Sequence, residues 1–416
     1  MKALLIIADG LGGRPTDVDG KTCTEAAKTP HLDALAAGGA LGLVDPIGPG
    51  IRPGSDTAHL SLLGYDPYDV YTGRGVFECL GIGMDVQPGD ICFRANFASV
   101  ETGGSGWIVT DRRAGRIDAG QAELASALNT LTLPTPPGVT FDFRASTQHR
   151  GALLLRGEGL SRHVTENDPH ATGKPAARFA PEPGHDEEAA HRTAAALNEL
   201  VALGHEVLEQ HPVNRARIDA GKPPANFILA RGAADCPHIP SIESIYKVRG
   251  AVIAGGALYR GVALACGMTS IDVPGATGGV DTDLGAKAQA AIEALESFDY
   301  VFLHVKGTDN AGHDQDADGK RAFIERIDAE LIGPLAERLD WGTTHLAFTG
   351  DHTTPIDYGD HTVEPVPVLF AGPNVVRDAT SSFGEGEAGR GGLGRFSGRV
   401  LPILLGYSNW APKYGS

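Results

Sequence analysis

The chain opens on KALLIIADGLGG, a continuous apolar run that stops at Asp9 and Gly10. A run apolar on both faces predicts a strand buried inside a parallel sheet, with a polar loop at its carboxyl end. Similar runs return late in the chain. Val252-Ile253-Ala254 leads into Gly255-Gly256, Tyr300–His304 into Val305-Lys306-Gly307-Thr308-Asp309, His345–Phe348 into Gly350-Asp351-His352, and Pro367–Phe370 into Ala371-Gly372-Pro373. Between them Leu284–Phe298 and Ala322–Leu339 carry helical periodicity, and Thr29-Pro30-His31 through Ala37 predicts a short helix begun by a cap and Pro. Strand, polar loop and helix in repetition predict an α/β fold with a doubly wound, mainly parallel sheet.

From about Val76 to Arg231 the pattern changes to mixed strands and helices with His- and Pro-rich loops such as Thr165–Pro183. Its most evident amphipathic helix is Asp186–Gln210. Because the sheet-type units resume after about Ala251, the middle region reads as a smaller α/β domain inserted into the first. The expected division is 1–75 with 243–416 for the large domain and 76–242 for the insert. Gly384–Gly394 (GEGEAGRGGLG) predicts a mobile surface loop.

Composition narrows the classes of function. A chain of 416 residues suits two domains, and 42% apolar residues is ordinary for a soluble globular protein. Met1–Ala8 is too short for a secretory segment, and no run approaches the roughly 20 apolar residues that span a bilayer, so a cytoplasmic protein is expected. Cys23, Cys79, Cys92, Cys236 and Cys266 are odd in number and widely spaced, which suggests neither a disulfide framework nor a thiolate zinc site. A net charge of −17 disfavours nucleic-acid and anionic-membrane partners. An anionic small substrate would have to be held locally, by a few arginines and metal ions. Oligomeric state leaves no mark on the sequence.

Asp9, Asp309-x-x-x-His313, Asp351-His352 and His361 carry the chemistry. Asp9, Asp309 and Asp351 each follow an apolar strand, and ligand sites of open α/β sheets lie at that carboxyl edge. Taken singly, Asp309 could cap a helix and His352 could be a satisfied core group. Strand-end placement of the whole set favours a shared site for two divalent ions, and carboxylate–imidazole sets suit zinc or manganese. Such a pair clamps the attacking and leaving oxygens of an in-line phosphoryl transfer.

GSDTAHLSLLGYDP (Gly54–Pro67) adds a candidate nucleophile. Ser55 follows Pro53-Gly54, where glycine lets the backbone turn a hydroxyl toward a metal, and a metal can ionise that hydroxyl. The plainer alternative is that Ser55 caps the helix carrying His59.

The phrases ADGLGGRP, GSDTAHLSLLGYDP, YTGRGVFECLGIGM, DRRAGRI, STQHRGALLL, VPGATGGVDTD, HVKGTDNAGHD, TGDHTTP and PVPVLFAG resemble the archaeal-type cofactor-independent phosphoglycerate mutases of the alkaline phosphatase superfamily. The resemblance runs over nearly the whole chain. It implies an alkaline phosphatase-like domain with an inserted transferase domain, and interconversion of 3-phosphoglycerate and 2-phosphoglycerate without 2,3-bisphosphoglycerate. By the same resemblance Asp309, His313 and His361 hold one ion, while Asp9, Ser55, Asp351 and His352 hold the other. Ser55 is then the phosphoryl acceptor, since the bacterial type has its nucleophile four positions before a histidine, as Ser55 is before His59 and Thr57 is not. Manganese is the implied ion, with zinc, cobalt or magnesium as alternatives. For the substrate's carboxylate and phosphate, which need cations, the candidates are Arg112, Arg113, His149 and Arg150, with Asp168 and Lys174 nearby. Arg74, Lys247, Lys287 and Lys306 are candidates for the phosphoryl group. A phosphatase or a homoserine kinase-like transferase would use the same metal motif, because fold and site do not fix the acceptor.

Overall fold

The computed structural model describes residues 1–104 and 106–415. They divide into two compact units, Met1–Tyr71 with Ile239–Ser416, and Thr72–His238. Numbered along the chain, the strands are β1 (Lys2–Ala8), β2 (Ala40–Asp45), β3 (Ile91–Gly103), β4 (Gly106–Asp111), β5 (Thr140–Ala145), β6 (Arg150–Arg156), β7 (Lys174–Pro175), β8 (Phe227–Asp235), β9 (Gly250–Ile253), β10 (Thr269–Ser270), β11 (Tyr300–Val305), β12 (Thr344–Thr349), β13 (Val366–Ala371) and β14 (Gly394–Ser397).

The first unit is built on one sheet in the order β10-β9-β11-β1-β12-β13-β2-β14. β1 lies between β11 and β12 and runs parallel to both, with Leu5 opposite Phe302 on one side and Ala347 on the other. That central place explains its unbroken apolar run, since Ala3 to Ala8 have no exposed face. Leu4 and Ile6 pack with Leu303, Leu346 and Phe348 and with Leu284, Ala288 and Ala291 of the Leu284–Ser297 helix. The sheet is the mainly parallel α/β architecture that the repeated strand, loop and helix units predict.

β13 departs from the parallel pattern. It is antiparallel to β12, with Thr349 opposite Val368, and antiparallel to β2. The amino end of β13 therefore lies beside the carboxyl end of β12. The intervening loop leaves and returns at one edge of the sheet and so delivers His361 to the side that carries Asp351 and His352.

Three local expectations are corrected. The helix Pro30–Gly38 does begin with Pro, but Thr29 makes no side-chain cap. Asp328, distant in sequence, accepts the N–H groups of His31 (3.2 Å) and Leu32 (2.7 Å) instead. The stretch Gly384–Gly394 is tied down where a mobile loop was expected. Glu385 accepts from the Gly13 N–H at 3.2 Å and from Thr22 Oγ1 at 2.7 Å, and Ala388 is buried. The single helix expected over Ala322–Leu339 is instead a helix Ala317–Arg326, a wide π turn Ile327–Ile332 and a helix Gly333–Arg338. Pro334, which lacks an N–H and crowds the carbonyl one turn back, accounts for the widening.

The second unit is an antiparallel sheet in the order β5-β6-β3-β4-β7, with β8 also paired to β3. Its core joins Phe93, Phe97, Phe143 and Phe227 to Leu197, Leu200 and Val201 of the Glu188–Glu209 helix. Among the described residues, no helix is long and apolar enough to cross a membrane.

Candidate active site

The carboxyl edge of the large sheet gathers the predicted carboxylates and imidazoles. Asp9 follows β1, Asp309 and His313 lie on the Gly307–His313 helix after β11, and Asp351 and His352 follow β12. They fall into two sets, Asp309 with His313 and His361, and Asp9 with Asp351 and His352, within each of which one donor atom per residue lies within 4.8 Å of the others. Gly10 permits this crowding: its φ is +64°, and an added Cβ would sit 2.8 Å from the Asp309 Cα.

Each imidazole is oriented from behind. His361 Nδ1 lies 2.9 Å from Pro53 O and His313 Nδ1 2.9 Å from Gly359 O, so Nδ1 carries the proton and donates. Their Nε2 atoms are left facing Asp309 Oδ1 at 3.6 and 3.3 Å. His352 Nδ1 meets Thr354 Oγ1 at 3.0 Å, and that hydroxyl donates to Asp309 Oδ1 at 3.1 Å. His352 Nε2 faces Asp9 Oδ1 at 3.2 Å and Asp351 Oδ2 at 3.3 Å. Second partners that fix the tautomer in this way are characteristic of metal-ligating histidines.

Ser55 is the first residue of the Ser55–Leu62 helix, whose N-cap is Gly54 with no side-chain cap bond. The capping reading of Ser55 therefore does not hold. Its buried hydroxyl lies 3.2 Å from His352 Nε2. Thr57 Oγ1 is engaged by Gly54 O at 3.1 Å. His59 Nδ1 donates to Ser55 O at 2.6 Å and so braces the serine backbone.

The electrostatics are those of a crowd of buried anions. Asp9 Oδ1 and Asp351 Oδ2 are buried without hydrogen-bond partners. Burial works to raise the Asp9 carboxyl, but Lys306, His304 and His352 hold it well below its usual value. Burial and the neighbouring Asp9 charge push Asp351 up to about 8. Burial would lower His352, yet Asp351 and Asp9 lift it to about 8. Lys306 joins Asp9 Oδ2 at 3.0 Å and Asp309 Oδ2 at 2.7 Å. One ammonium among three carboxylates leaves room for cationic charge, and the unpartnered oxygens and aimed Nε2 atoms fit divalent ions.

The sequence reading missed several supporting groups. Tyr259 donates its hydroxyl to Asp9 and stacks on His304 with centroids 3.5 Å apart, while His304 Nε2 lies 3.4 Å from Asp9 Oδ2. Lys320 is wholly buried and donates to Gly12 O and Thr354 O, both at 2.8 Å. Two predicted lysines stay outside this group. Lys287 is buried with Nζ on His304 O at 2.9 Å, and Lys247 closes its own helix through Ser244 O at 2.7 Å. Their basic side chains suggested phosphate contact, but each is used by a backbone carbonyl.

The smaller unit collects cations around two carboxylates. Arg112 grips Asp168 through Nε (2.8 Å) and Nη2 (2.7 Å), and Arg231 Nη1 lies 3.5 Å from the same carboxylate. Arg74 Nε reaches Glu78 Oε1 at 2.9 Å and Arg94 Nε lies 3.7 Å from it. Burial, together with the charges of Arg74, Arg231 and Arg150, pushes Arg94 down to about 9. Burial and the Arg150 charge push the neighbouring His149 down to about 4. Arg113 is exposed, its N–H bound to Asp111, and Lys174 is exposed on β7 opposite Val109. Arg94 and Arg231 were not singled out from sequence, although each is a single charge within a mainly apolar stretch of its strand, ICFRANF and FILARGAA.

A mainly parallel sheet that collects carboxylates and imidazoles at its carboxyl edge places the chain among the metal-dependent α/β enzymes. A family model described as 2,3-bisphosphoglycerate-independent phosphoglycerate mutase matches residues 36–214. The chain is 49% identical to 2,3-bisphosphoglycerate-independent phosphoglycerate mutase 1 of Archaeoglobus fulgidus, with all of both chains covered. It is 46% identical to the 2,3-bisphosphoglycerate-independent phosphoglycerate mutase of Methanopyrus kandleri, covering all of this chain and 98% of that one. A solved protein of Pyrococcus horikoshii superposes with a TM-score of 0.85 at 38% identity, covering 100% of this chain and 99% of that one. The cofactor-independent phosphoglycerate mutase of Thermoplasma acidophilum superposes with a TM-score of 0.69 at 33% identity, covering 98% and 100%. The chain belongs to the 2,3-bisphosphoglycerate-independent phosphoglycerate mutase family.

Proposed function

We propose that this chain interconverts 3-phosphoglycerate and 2-phosphoglycerate through a phosphoserine at Ser55. The observation that carries the reading is the Ser55 hydroxyl, 3.2 Å from His352 Nε2 and beside the two carboxylates that have unpartnered oxygens. Two divalent ions, manganese by preference and zinc, cobalt or magnesium otherwise, would be held by Asp309, His313 and His361 and by Asp9, Asp351, His352 and Ser55, where they would lower the pKa of the serine hydroxyl and offset phosphoryl charge. His59 fixes the serine from its carbonyl side, and Lys306 supplies a cation beside Asp9 and Asp309. The phosphorus–oxygen bond to the substrate breaks as one to Ser55 Oγ forms, and the phosphoryl group returns to the other hydroxyl of the same glycerate.

The smaller unit would serve as the substrate domain. Its candidates for the carboxylate and phosphate are Arg112, held by Asp168, together with Arg231, Arg94, Arg74, Arg150, Arg113 and His149, with Lys174 at its margin. An arginine fork already oriented by a carboxylate loses less freedom when it binds a second anion. A stored phosphoryl group removes the need for 2,3-bisphosphoglycerate, in keeping with the names of the relatives.

The test follows the phosphoryl group. Ser55→Ala should abolish the mutase reaction, measured by coupling to enolase, while Thr57→Ala retains most of it. With phosphate-labelled 3-phosphoglycerate and unlabelled glycerate, label should stay on the original carbon skeleton. Release as inorganic phosphate would make the enzyme a phosphatase, and transfer of label into the added glycerate would refute return to the same molecule.

A further inference from the structure

A third set of metal-type donors lies in the smaller unit. His163 and Glu182 face each other across a short antiparallel contact: Val164 pairs with Pro181, Thr165 N–H donates to Ala180 O at 2.8 Å, and Glu182 N–H donates to His163 O at 3.0 Å. A turn then returns His185, whose N–H donates to Glu182 O at 3.0 Å. The backbone thus sets three side chains on one patch.

Their donor atoms converge. His163 Nδ1 is 3.4 Å from Glu182 Oε2, and the His163 and His185 rings lie face to face with centroids 3.7 Å apart and 5° between planes. One donor from each of the three lies within 4.8 Å of the others. Glu187, the N-cap residue of the Glu188–Glu209 helix, brings Oε1 to 3.8 Å from His185 Nδ1. A zinc ion with bonds of about 2.0–2.1 Å in a tetrahedral shell holds its donors about 3.4 Å apart. The His163–Glu182 edge has that length already, and the part-exposed His185 and Glu187 side chains must both turn to set the remaining edges. Arg162, the adjacent cation, donates elsewhere, from Nη1 to Thr72 O at 2.7 Å. Two rings stacked face to face forgo the edge-on or offset arrangement that aromatic pairs prefer.

We propose that His163, Glu182 and His185, with Glu187 as fourth donor, form a site for a zinc-type divalent ion in addition to the candidate ligands on the large sheet. Two imidazoles and two carboxylates select borderline ions such as zinc or cobalt over magnesium or calcium. The bound ion would join the segment that leads to Asp168 to the start of the long helix.

The full-length chain, stripped of metal and dialysed against buffered zinc, gives the count of zinc per chain by elemental analysis. The variant with both His163→Ala and His185→Ala should hold one zinc fewer than the parent at every zinc concentration that saturates the parent. Glu182→Gln should bind that zinc at least about tenfold more weakly. The two histidines have 30% and 43% of their side chains exposed, so the fold should be unchanged by circular dichroism. His313→Ala, from the other unit, should leave the response to loss of His163 and His185 intact. Equal zinc counts in the parent and the double variant would overturn the proposal.

Discussion

The two wholly buried lysines give a sharp test of how the candidate site is braced. Lys320 donates to Gly12 O and Thr354 O, which belong to the loops just beyond Asp9 and His352, whereas Lys287 donates to the single carbonyl of His304. Replacing Lys320 with Met keeps the length of the side chain and removes the ammonium. Gly12 O keeps one donor, the Thr354 N–H at 3.2 Å, so the loss falls mainly on Thr354 O. Two hydrogen bonds from a charged group are worth about 1.5–3 kcal/mol each, and removing the charge returns part of that by ending its burial cost. The net loss expected for Lys320→Met is about 2–4 kcal/mol, and for Lys287→Met about 1–2 kcal/mol. Urea unfolding measures both, with Trp341 and Trp410 reporting the large unit and Trp107 the smaller one. Lys320→Met should also weaken metal binding, because its two loops carry ligands, while Lys287→Met should leave turnover per folded molecule unchanged. Equal stability of Lys320→Met and the parent would refute the bracing argument, and loss of turnover in a stably folded Lys287→Met would restore that lysine to the phosphoryl group.

Further outcomes follow from other parts of the molecule. Burial pushes the Glu385 carboxyl up to about 7 from 4.5; the folded form therefore holds a proton that the unfolded chain has lost, and stability should fall by about 2–3 kcal/mol as pH rises from about 4.5 to 7, a slope that thermal unfolding should find flattened in Glu385→Gln. Arg94→Met should raise KM for phosphoglycerate by an amount equivalent to about 1.5–3 kcal/mol with metal content unchanged, and an unaltered KM would remove Arg94 from substrate binding. Chelation should abolish activity and manganese should restore it, while His313→Ala should need more manganese than the parent for half-maximal rate; full activity in a metal-free preparation would contradict the metal assignment.

The parts legible in the sequence were those written in contiguous patterns. The apolar runs ending at Asp9, Asp309 and Asp351 placed three carboxylates at one sheet edge, because a buried parallel strand has few other sequence forms. His361 follows no strand; the residue pattern put it in the same constellation without saying which carboxylate it serves, and the family resemblance paired it with Asp309. The reversed direction of β13 explains why it arrives there. The supporting groups were illegible for a different reason. Tyr259, His304 and Lys320 look like ordinary core or surface residues of their elements, and only partners far away in sequence reveal them. Asp328 capping a helix that begins at Pro30 is the same case. Arg94 and Arg231 did leave a signal, a single charge within a mainly apolar stretch of strand, which calls for a buried counterion.

The central place of β1 bears on how the protein is made. Its sheet partners are Tyr300–Val305 and Thr344–Thr349, so roughly three hundred residues must leave the ribosome before KALLIIA finds a neighbour. At about 5–20 residues per second that wait is of the order of 15–60 seconds. The antiparallel sheet of residues 72–238 can form within that interval from its own strands, whereas the nascent amino-terminal segment remains an unpaired apolar β-strand. Holding that segment apart from other chains is a task for ribosome-associated chaperones, and Asp9 reaches its companions only after the ligand-bearing carboxyl half has been translated.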